Sequence, residues 1–340
     1  MEKITRIAID TSKSVFTLHG VDGMGRAVLR RNVRRQELVR FFERLAPLEV
    51  ALEACGGSHH WGRTLGALGH RVRLIPAQYV KPFVKRSKND RNDAEAINEA
   101  ASRPDMREVP VKSAEAQAAA MLLSVRELLM RQRTQLINAF RGHAAELGLV
   151  APKGDKGLAE LRAAIADDRS LPEAALHALG LLGEEIGRIE TRLTDIDKTL
   201  MARHRADPQS RRLAEVPGVG PVGALSFSAR VDASQFRSGR HFAAWLGLVP
   251  TQHSTGGKQR LGAISRAGNE RLRQLLVLGA TAVIRHAKPG RPAASAWLLN
   301  LLERKPRKVA AVALANKMAR IIWAMLTSGQ SYRQPKPVAP

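Results

Sequence analysis

Lys85-Arg-Ser-Lys-Asn-Asp90-Arg-Asn-Asp93-Ala-Glu-Ala96 sets two carboxylates three residues apart inside a run of positive charge. Ala94, Glu95, Ala96, Ile97, Glu99, Ala100 and Ala101 follow, mostly good helix formers, so the stretch predicts a helix opening near Asp90. Residues three apart share a helix face, and acidic side chains in a first turn suit the positive end of the helix dipole. Alone, such a pair is most often a solvated helix start. Where it meets further carboxylates, it becomes half of a metal site.

The chain upstream supplies them. Residues 4–10, 14–20 and 26–32 read as short β-runs separated by glycine-containing turns such as Val21-Asp22-Gly23, a meander. Residues 36–45 carry Leu38, Phe41, Phe42 and Leu45 at helical spacing, and the apolar run Val50-Ala51-Leu52 ends on Glu53. A helix over 58–68 and a strand over 71–75 complete the order βββαβαβ ahead of the helix bearing Asp90 and Asp93. Strands alternating with helices define an α/β sheet domain, closing between Pro104 and Pro110. Asp10 ends the first strand and Glu53 the fourth. Singly, each is as well explained by a turn or an αβ corner. If the strands are neighbours, Asp10, Glu53, Asp90 and Asp93 converge, and such oxygen ligands suit Mg2+. A pair of ions there stabilises the attacking and leaving oxygens of phosphodiester transfer.

Charge points to the same chemistry. The 340 residues hold 55 Lys and Arg against 31 Asp and Glu, a net charge of +24, with 44% hydrophobic residues to build cores. That excess calls for a polyanion, nucleic acid before a membrane surface. No run of 18 uncharged apolar residues appears and Met1-Glu2-Lys3-Ile4 is no signal peptide, so a cytoplasmic, nucleoid-associated protein is expected, with no membrane partner. The single cysteine, Cys55, excludes an internal disulfide and a cysteine-based zinc cluster, and is read as a packed thiol. Aromatic residues at 4% are too sparse for a base-by-base stacking platform.

Ile9-Asp-Thr-Ser-Lys13, Leu52-Glu-Ala-Cys-Gly56 and Asp90-Arg-Asn-Asp93-Ala resemble the RuvC-like domain of DEDD insertion-sequence transposases of the insertion-sequence-110 family, the bridge-RNA-guided recombinases. The resemblance implies a ribonuclease-H-like fold and a quartet of Asp10, Glu53, Asp90 and Asp93 that is both catalytic and metal-binding, for Mg2+ with Mn2+ as a substitute. Cys55 stands where that family has a threonine, which leaves the carboxylates untouched.

Downstream, residues 113–148 form a long helix and Pro152, Gly154 and Gly157 break it. A capping box at Ser170-Leu-Pro-Glu173 then opens a helix with Leu179, Leu182, Ile186, Ile189, Leu193, Ile196 and Leu200 at coiled-coil spacing. Those helices pair within one chain or between chains; spacing leaves both open. Glu215-Val-Pro-Gly218-Val-Gly220-Pro resembles a helix-hairpin-helix, in which Gly218 and Gly220 let backbone N–H groups approach a phosphate; a tight αα corner is the alternative. After a helix over 236–248 comes Ser254-Thr-Gly-Gly-Lys258-Gln-Arg260-Leu-Gly-Ala-Ile-Ser-Arg266, whose glycines, hydroxyls and bases read as a phosphate-contacting loop. Helices over 269–286 and 308–328 hold it, Trp297, Leu298 and Leu301 read as core, and Pro289-Gly-Arg-Pro292 as a linker turn.

This half resembles the second domain of the same transposases, which implies that Ser254 is the nucleophile. His253 is a weaker candidate base than metal activation. The expected organisation is α/β plus all-α: a RuvC-like catalytic domain over 1–110, a helical coiled-coil arm over 111–206, a mainly helical transposase domain over 207–330 and a tail over 331–340. Lys85, Arg86, Lys88, Arg91, Gly218, Gly220, Lys258, Arg260 and Arg266 are the candidate nucleic-acid contacts. The resemblance further implies donor and target DNA, a structured guide RNA, and a homo-oligomer in which serine and carboxylates meet between subunits. Two rival readings are a junction endonuclease using water as nucleophile and a non-catalytic nucleic-acid scaffold.

Overall fold

The computed structural model describes residues 3–85, 90–258, 260–288 and 295–333, with the side chain of Asp90 outside that description. Arg86, Lys88, the 289–292 turn and residues 334–340 of the tail also fall outside it. Two units form, residues 1–115 and residues 116–340.

In the first unit the strands β1 (Arg6–Asp10), β2 (Val15–Val21), β3 (Ala27–Arg34), β4 (Glu49–Glu53) and β5 (Arg71–Ile75) make one sheet in the order β3-β2-β1-β4-β5. The meander is antiparallel, whereas β4 runs parallel to β1 and β5 parallel to β4, as crossovers through helices require. This mixed sheet is consistent with the expected ribonuclease-H-like domain. Alternation along each strand sorts the unit into layers. Ile7, Ile9, Val50, Leu52 and Leu74 face one core, with Leu38 and Phe42 of α1 (Leu38–Glu43) and Trp61 and Leu65 of α2 (Ser58–Ala67). Ala8 and Ala51 face the other side, where Ala96, Ile97, Ala100 and Ala101 of α4 (Asp90–Ser102) pack on them; the short helix α3 (Ala77–Val80) supplies Val80. Alanine on both surfaces lets that helix lie close on the sheet. Arg73, buried on the same face, donates to Glu49 at 3.1 Å, Glu108 at 2.5 Å and the carbonyl of Ala101 at 2.7 Å, tying two strands to the end of α4.

The second unit begins with a helical hairpin. Helix α5 (Ala114–Glu146), whose first turn spans the division, and α7 (Glu173–Ala206) run antiparallel: Leu123 packs with Leu200, Leu129 with Ile189 and Leu193, and Phe140 with Ile186 and Leu179. The coiled-coil seam is therefore buried within one chain. Arg126–Asp197 and Arg133–Glu190 ion pairs flank it. The region read as a break holds a further helix, α6 (Asp155–Asp167), whose Leu158, Leu161 and Ile165 close the end of the hairpin. Position 157, inside α6, is glycine because a Cβ there would stand 1.8 Å from the carbonyl oxygen of Pro152. The capping box is corrected as well: Pro172 is the N-cap of α7 and makes no side-chain cap, while the Ser170 hydroxyl donates to Asp168 at 2.6 Å.

Beyond the hairpin come α8 (Pro208–Leu213), α9 (Pro221–Arg230), α10 (Gly239–Trp245), α11 (Glu270–Arg285), α12 (Ala296–Arg304) and α13 (Arg307–Ser328). They share a core in which Phe227, Phe242, Leu276 and Ile322 are buried. Glu127 of α5 meets Arg230 of α9 and Arg271 of α11, at 3.4 and 3.1 Å. By length and composition α13 is apolar enough to cross a membrane, yet Ala315, Met318, Ala319 and Ile322 belong to this core, so it is a core helix. Leu298 is core as expected; Trp297, by contrast, is 39% exposed, a correction that matters below.

Candidate active site

Asp10 and Glu53 occupy the carboxyl ends of neighbouring parallel strands. The ladder pairs Ala8 with Ala51 and Ile9 with Leu52, so Asp10 and Glu53 are the next residues on each strand. Strand period places them on the same face as Ala8 and Ala51, the face covered by α4. Adjacent strands lie about 4.8 Å apart, which brings both carboxylates to one edge of the sheet. Helix α4 opens at that face with Asp90 and Asp93 in its first turn. Burial pushes the Glu53 carboxyl above its ordinary range, and the charge of Asp93 pushes it further the same way. Two of the carboxylates thus sense one another across the sheet–helix boundary.

An all-oxygen set at strand ends fits a hard divalent cation. Among the described residues, no three His, Cys, Asp or Glu side chains form a ready-made ion cage. Asp10 and Glu53 share a face and an edge of the sheet, and Asp93 lies in the first turn of the helix on that face; the Asp90 side chain lies outside the description. Cys55 is exposed rather than packed, because it sits on the turn just past β4, where its thiol meets the Thr11 hydroxyl at 3.3 Å. His59 and His60 lie on α2 as the spacing implies, and the His59 Nδ1 accepts from the Lys112 N–H at 3.3 Å.

The candidate cations divide. Lys85 pairs with Glu95 at 2.7 Å, so part of its charge is answered within the protein. Arg91 is exposed and lines a pocket of about 370 Å³ with Arg30, Thr17 and His19. Arg30 was not singled out from sequence, although strand period from Thr17 and His19 through their partners Asn32 and Arg30 puts it on the α4 face. His19 is buried, with its Nδ1 3.2 Å from the Asn98 amide nitrogen.

Ser254 lies on a β-hairpin where a loop was expected. Strands β6 (Pro250–Gln252) and β7 (Leu261–Ile264) pair antiparallel, and Thr255 bridges Lys258 across Gly256 and Gly257. Those glycines have φ of 56° and 77°, the positive values that a tight hairpin turn demands at both central positions. Arg260 engages the tip through its backbone: its N–H donates to the Ser254 Oγ at 3.2 Å and its carbonyl accepts from the His253 N–H at 2.9 Å. The serine oxygen is oriented and exposed, flanked by the exposed Lys258 and Arg260. Thr-Gly-Gly-Lys was the readable signal for this hairpin. Its base is anchored by buried Arg273, which donates to the carbonyls of Leu246 and Ala267 at 3.0 and 2.7 Å. Arg266 takes a left-handed φ of 54°, alone among the described non-glycine residues.

Gly218 and Gly220 have different duties. Gly218 has φ 86°, and a Cβ there would stand 2.7 Å from the carbonyl oxygen of Gly279, so it serves the close crossing of the α8–α9 turn over α11. Gly220 is exposed, with open space around it, and caps α9.

Acidic strand ends facing a helix that opens with two aspartates belong to a mixed α/β domain of the ribonuclease-H-like kind. Residues 7–147 match a family model described as "Transposase", and residues 210–295 one described as "Transposase IS116/IS110/IS902 family". The chain is 55% identical to "Putative transposase y4pF/y4sB" of Sinorhizobium fredii, over 98% of this chain and 87% of that protein. It is 48% identical to "Probable family 20 transposase" of Pseudomonas aeruginosa, over 97% and 99%, and 42% identical to "Transposase for insertion sequence element IS1111A" of Coxiella burnetii, over 98% and 92%. The chain belongs to the IS116/IS110/IS902 family of DEDD transposases. It is an enzyme that acts on DNA.

Proposed function

We propose that this transposase cuts and rejoins DNA strands with two sets of groups, the carboxylates Asp10, Glu53, Asp90 and Asp93 and the hydroxyl of Ser254. The observation that carries the reading is the placement of Asp10 and Glu53 at adjoining strand ends under the helix of Asp93. The four carboxylates would hold Mg2+, or Mn2+ in its place, and the bound ion supplies charge neutralisation at the phosphoryl oxygens. Ser254 Oγ attacks phosphorus: the Oγ–P bond forms, a backbone P–O bond breaks, and the hydroxyl proton passes to the departing oxygen or to solvent. Lys258 and Arg260 neutralise the phosphate, and the Arg260 N–H holds the Oγ in place. Lys85, Arg86, Lys88, Arg91, Gly220 and Arg266 grip the sugar-phosphate backbones. Partner choice is delegated to a structured RNA that pairs with donor and target DNA.

Assembly as a homo-oligomer brings the serine of one subunit to the carboxylates of another. Met121, Val125 and Leu128 support an interface: they form an exposed apolar stripe at i, i+4, i+7 on α5.

The test uses labelled DNA with Ser254→Ala, Thr255→Ala and Asp10→Ala. Ser254→Ala abolishes a protease-sensitive protein–DNA adduct and strand joining while DNA binding persists. An undiminished adduct moves the nucleophile elsewhere, and free ends without any adduct in the unmodified enzyme make it a water-using nuclease.

A further inference from the structure

Beneath the serine hairpin runs a groove of about 1260 Å³, bounded by Pro250 of β6, Gly262 and Ile264 of β7, and helices α10, α12 and α13. Its floor is apolar, built from Val309, Val312, Ile321 and Trp323. Four cations line it, Arg240, Lys308, Lys317 and Arg320, and among the described residues no carboxylate does. Some basic side chains elsewhere in this unit are answered within the fold, Arg126 by Asp197, Arg133 by Glu190, and Arg230 and Arg271 by Glu127. Among the described residues, none of the four groove cations has an acidic partner. Burial lowers the Lys317 ammonium below its ordinary range and the charge of Arg320 lowers it further, a repulsion that a bound anion would offset.

Trp297 stands at this groove, 39% exposed, with the Lys317 ammonium 4.3 Å from its ring centroid. An apolar floor, a part-exposed indole with a lysine on one face, and positive charge without an acidic partner are complementary to a polymer that carries apolar faces on an anionic backbone. A duplex hides its base faces and would leave the floor uncovered. Small-molecule sites run from about 300 to 1,000 Å³, and this open groove exceeds them. A single indole serves one base, which is compatible with an aromatic content too low for a continuous stacking platform.

We propose that the groove holds a short unpaired stretch of the DNA strand next to the bond attacked by Ser254, with one base stacked on Trp297 and its phosphates on Arg240, Lys308, Lys317 and Arg320. The inference rests on the reading of Ser254 as the strand-accepting residue, and commits the occupant to DNA because the groove borders the hairpin that bears it. A strand held there would be kept from re-pairing while the hydroxyl reaches its phosphorus.

The test measures binding of labelled oligo-dT, oligo-rU and duplex DNA to the full-length protein. Trp297→Ala weakens oligo-dT binding about tenfold, Trp297→Phe restores most of it, and duplex binding is unchanged. Arg240→Gln with Lys308→Gln lowers the salt slope for oligo-dT by about 0.7 per cation removed. Unaltered oligo-dT binding in Trp297→Ala, with a melting temperature equal to the parent's, overturns the proposal. So does a loss confined to oligo-rU, which would make this a seat for RNA, or a change of sedimentation in the variants without a change in oligo-dT binding, which would make it a subunit interface. Ser254→Ala keeps the Trp297-dependent binding, so an adduct that survives in Ser254→Ala defeats the serine reading without touching the groove.

Discussion

Asp10 and Glu53 each stand two residues beyond an alanine that α4 covers, on parallel strands paired through Ala8 and Ala51. The same alternation that lets the helix approach the sheet delivers both carboxylates to the helix's acidic first turn. Packing and chemistry share one sequence pattern. A larger residue at Ala8 or Ala51 would lift the helix and separate the carboxylates without changing any of them.

Asp10→Asn and Glu53→Gln should each lower strand cleavage more than about a hundredfold, the scale of losing a main electrostatic support of a transition state. DNA binding should persist, measured by gel shift in the same buffer. Ca2+ accepts the same oxygens with looser geometry, so it should support binding and suppress cleavage relative to Mg2+. Equal cleavage in Mg2+ and in EDTA would sink the metal assignment.

Glu49 makes a pH prediction at the opposite end of β4 from Glu53. Burial alone would raise its pKa, but hydrogen bonds and charge from Arg6 and Arg73 outweigh burial and hold it below the ordinary glutamate range. A carboxyl depressed on folding adds stability above its unfolded pKa and loses it as pH falls through the folded value. Glu49→Gln should therefore destabilise the protein by about 2 kcal/mol at neutral pH, the scale of a hydrogen bond to a charged group. The deficit should shrink as the pH falls below about 4.5. Thermal melts across pH test it; a deficit constant from pH 7 to pH 3 would remove Glu49 from the network.

Period and strand ends were legible because both are local: β5 spans the expected residues, and Asp10 and Glu53 end their strands as read. Helix α6 was hidden because Pro152, Gly154 and Gly157 look like breakers, and only the approach of Pro152 to Gly157 reveals one as a packing residue. The hairpin of Ser254 was masked by its own turn residues, since two glycines serve a hairpin tip as well as a phosphate loop. Ser170 lost its capping role because Pro172 starts the helix with a fixed φ. Cys55 and Trp297 were misjudged by composition: residue types usually buried sit exposed at a strand end and at a groove.

Gly268 is a sharper test of how the hairpin is held. It has φ 66°, and a Cβ there would stand 1.8 Å from the carbonyl oxygen of Trp245. Gly268→Ala should cost about 1–3 kcal/mol by strain and overpacking. It should reduce adduct formation more than overall DNA binding, because the segment after β7 moves while most cations stay. Comparison with Gly256→Ala, whose added methyl meets open space but whose φ is 56°, separates crowding from backbone strain. If Gly268→Ala melts like the parent, the crossing at Trp245 does not position the hairpin.

Salt dependence should sort the basic residues by what answers them within the fold. A protein with net charge +24 that contacts phosphates must release counterions on binding, so affinity for DNA should fall steeply and linearly on a log–log plot against salt. Lys258 and Arg260 are exposed beside Ser254, and replacing either by Gln should reduce the slope by about 1. Arg126 donates to Asp197 at 2.5 Å within the helical hairpin, so Arg126→Gln should leave the slope unchanged while lowering the melting temperature. Titrations at several salt concentrations distinguish the two groups. A slope that drops as much for Arg126→Gln as for Lys258→Gln would mean that overall charge, and not the placement of unanswered cations, governs DNA binding.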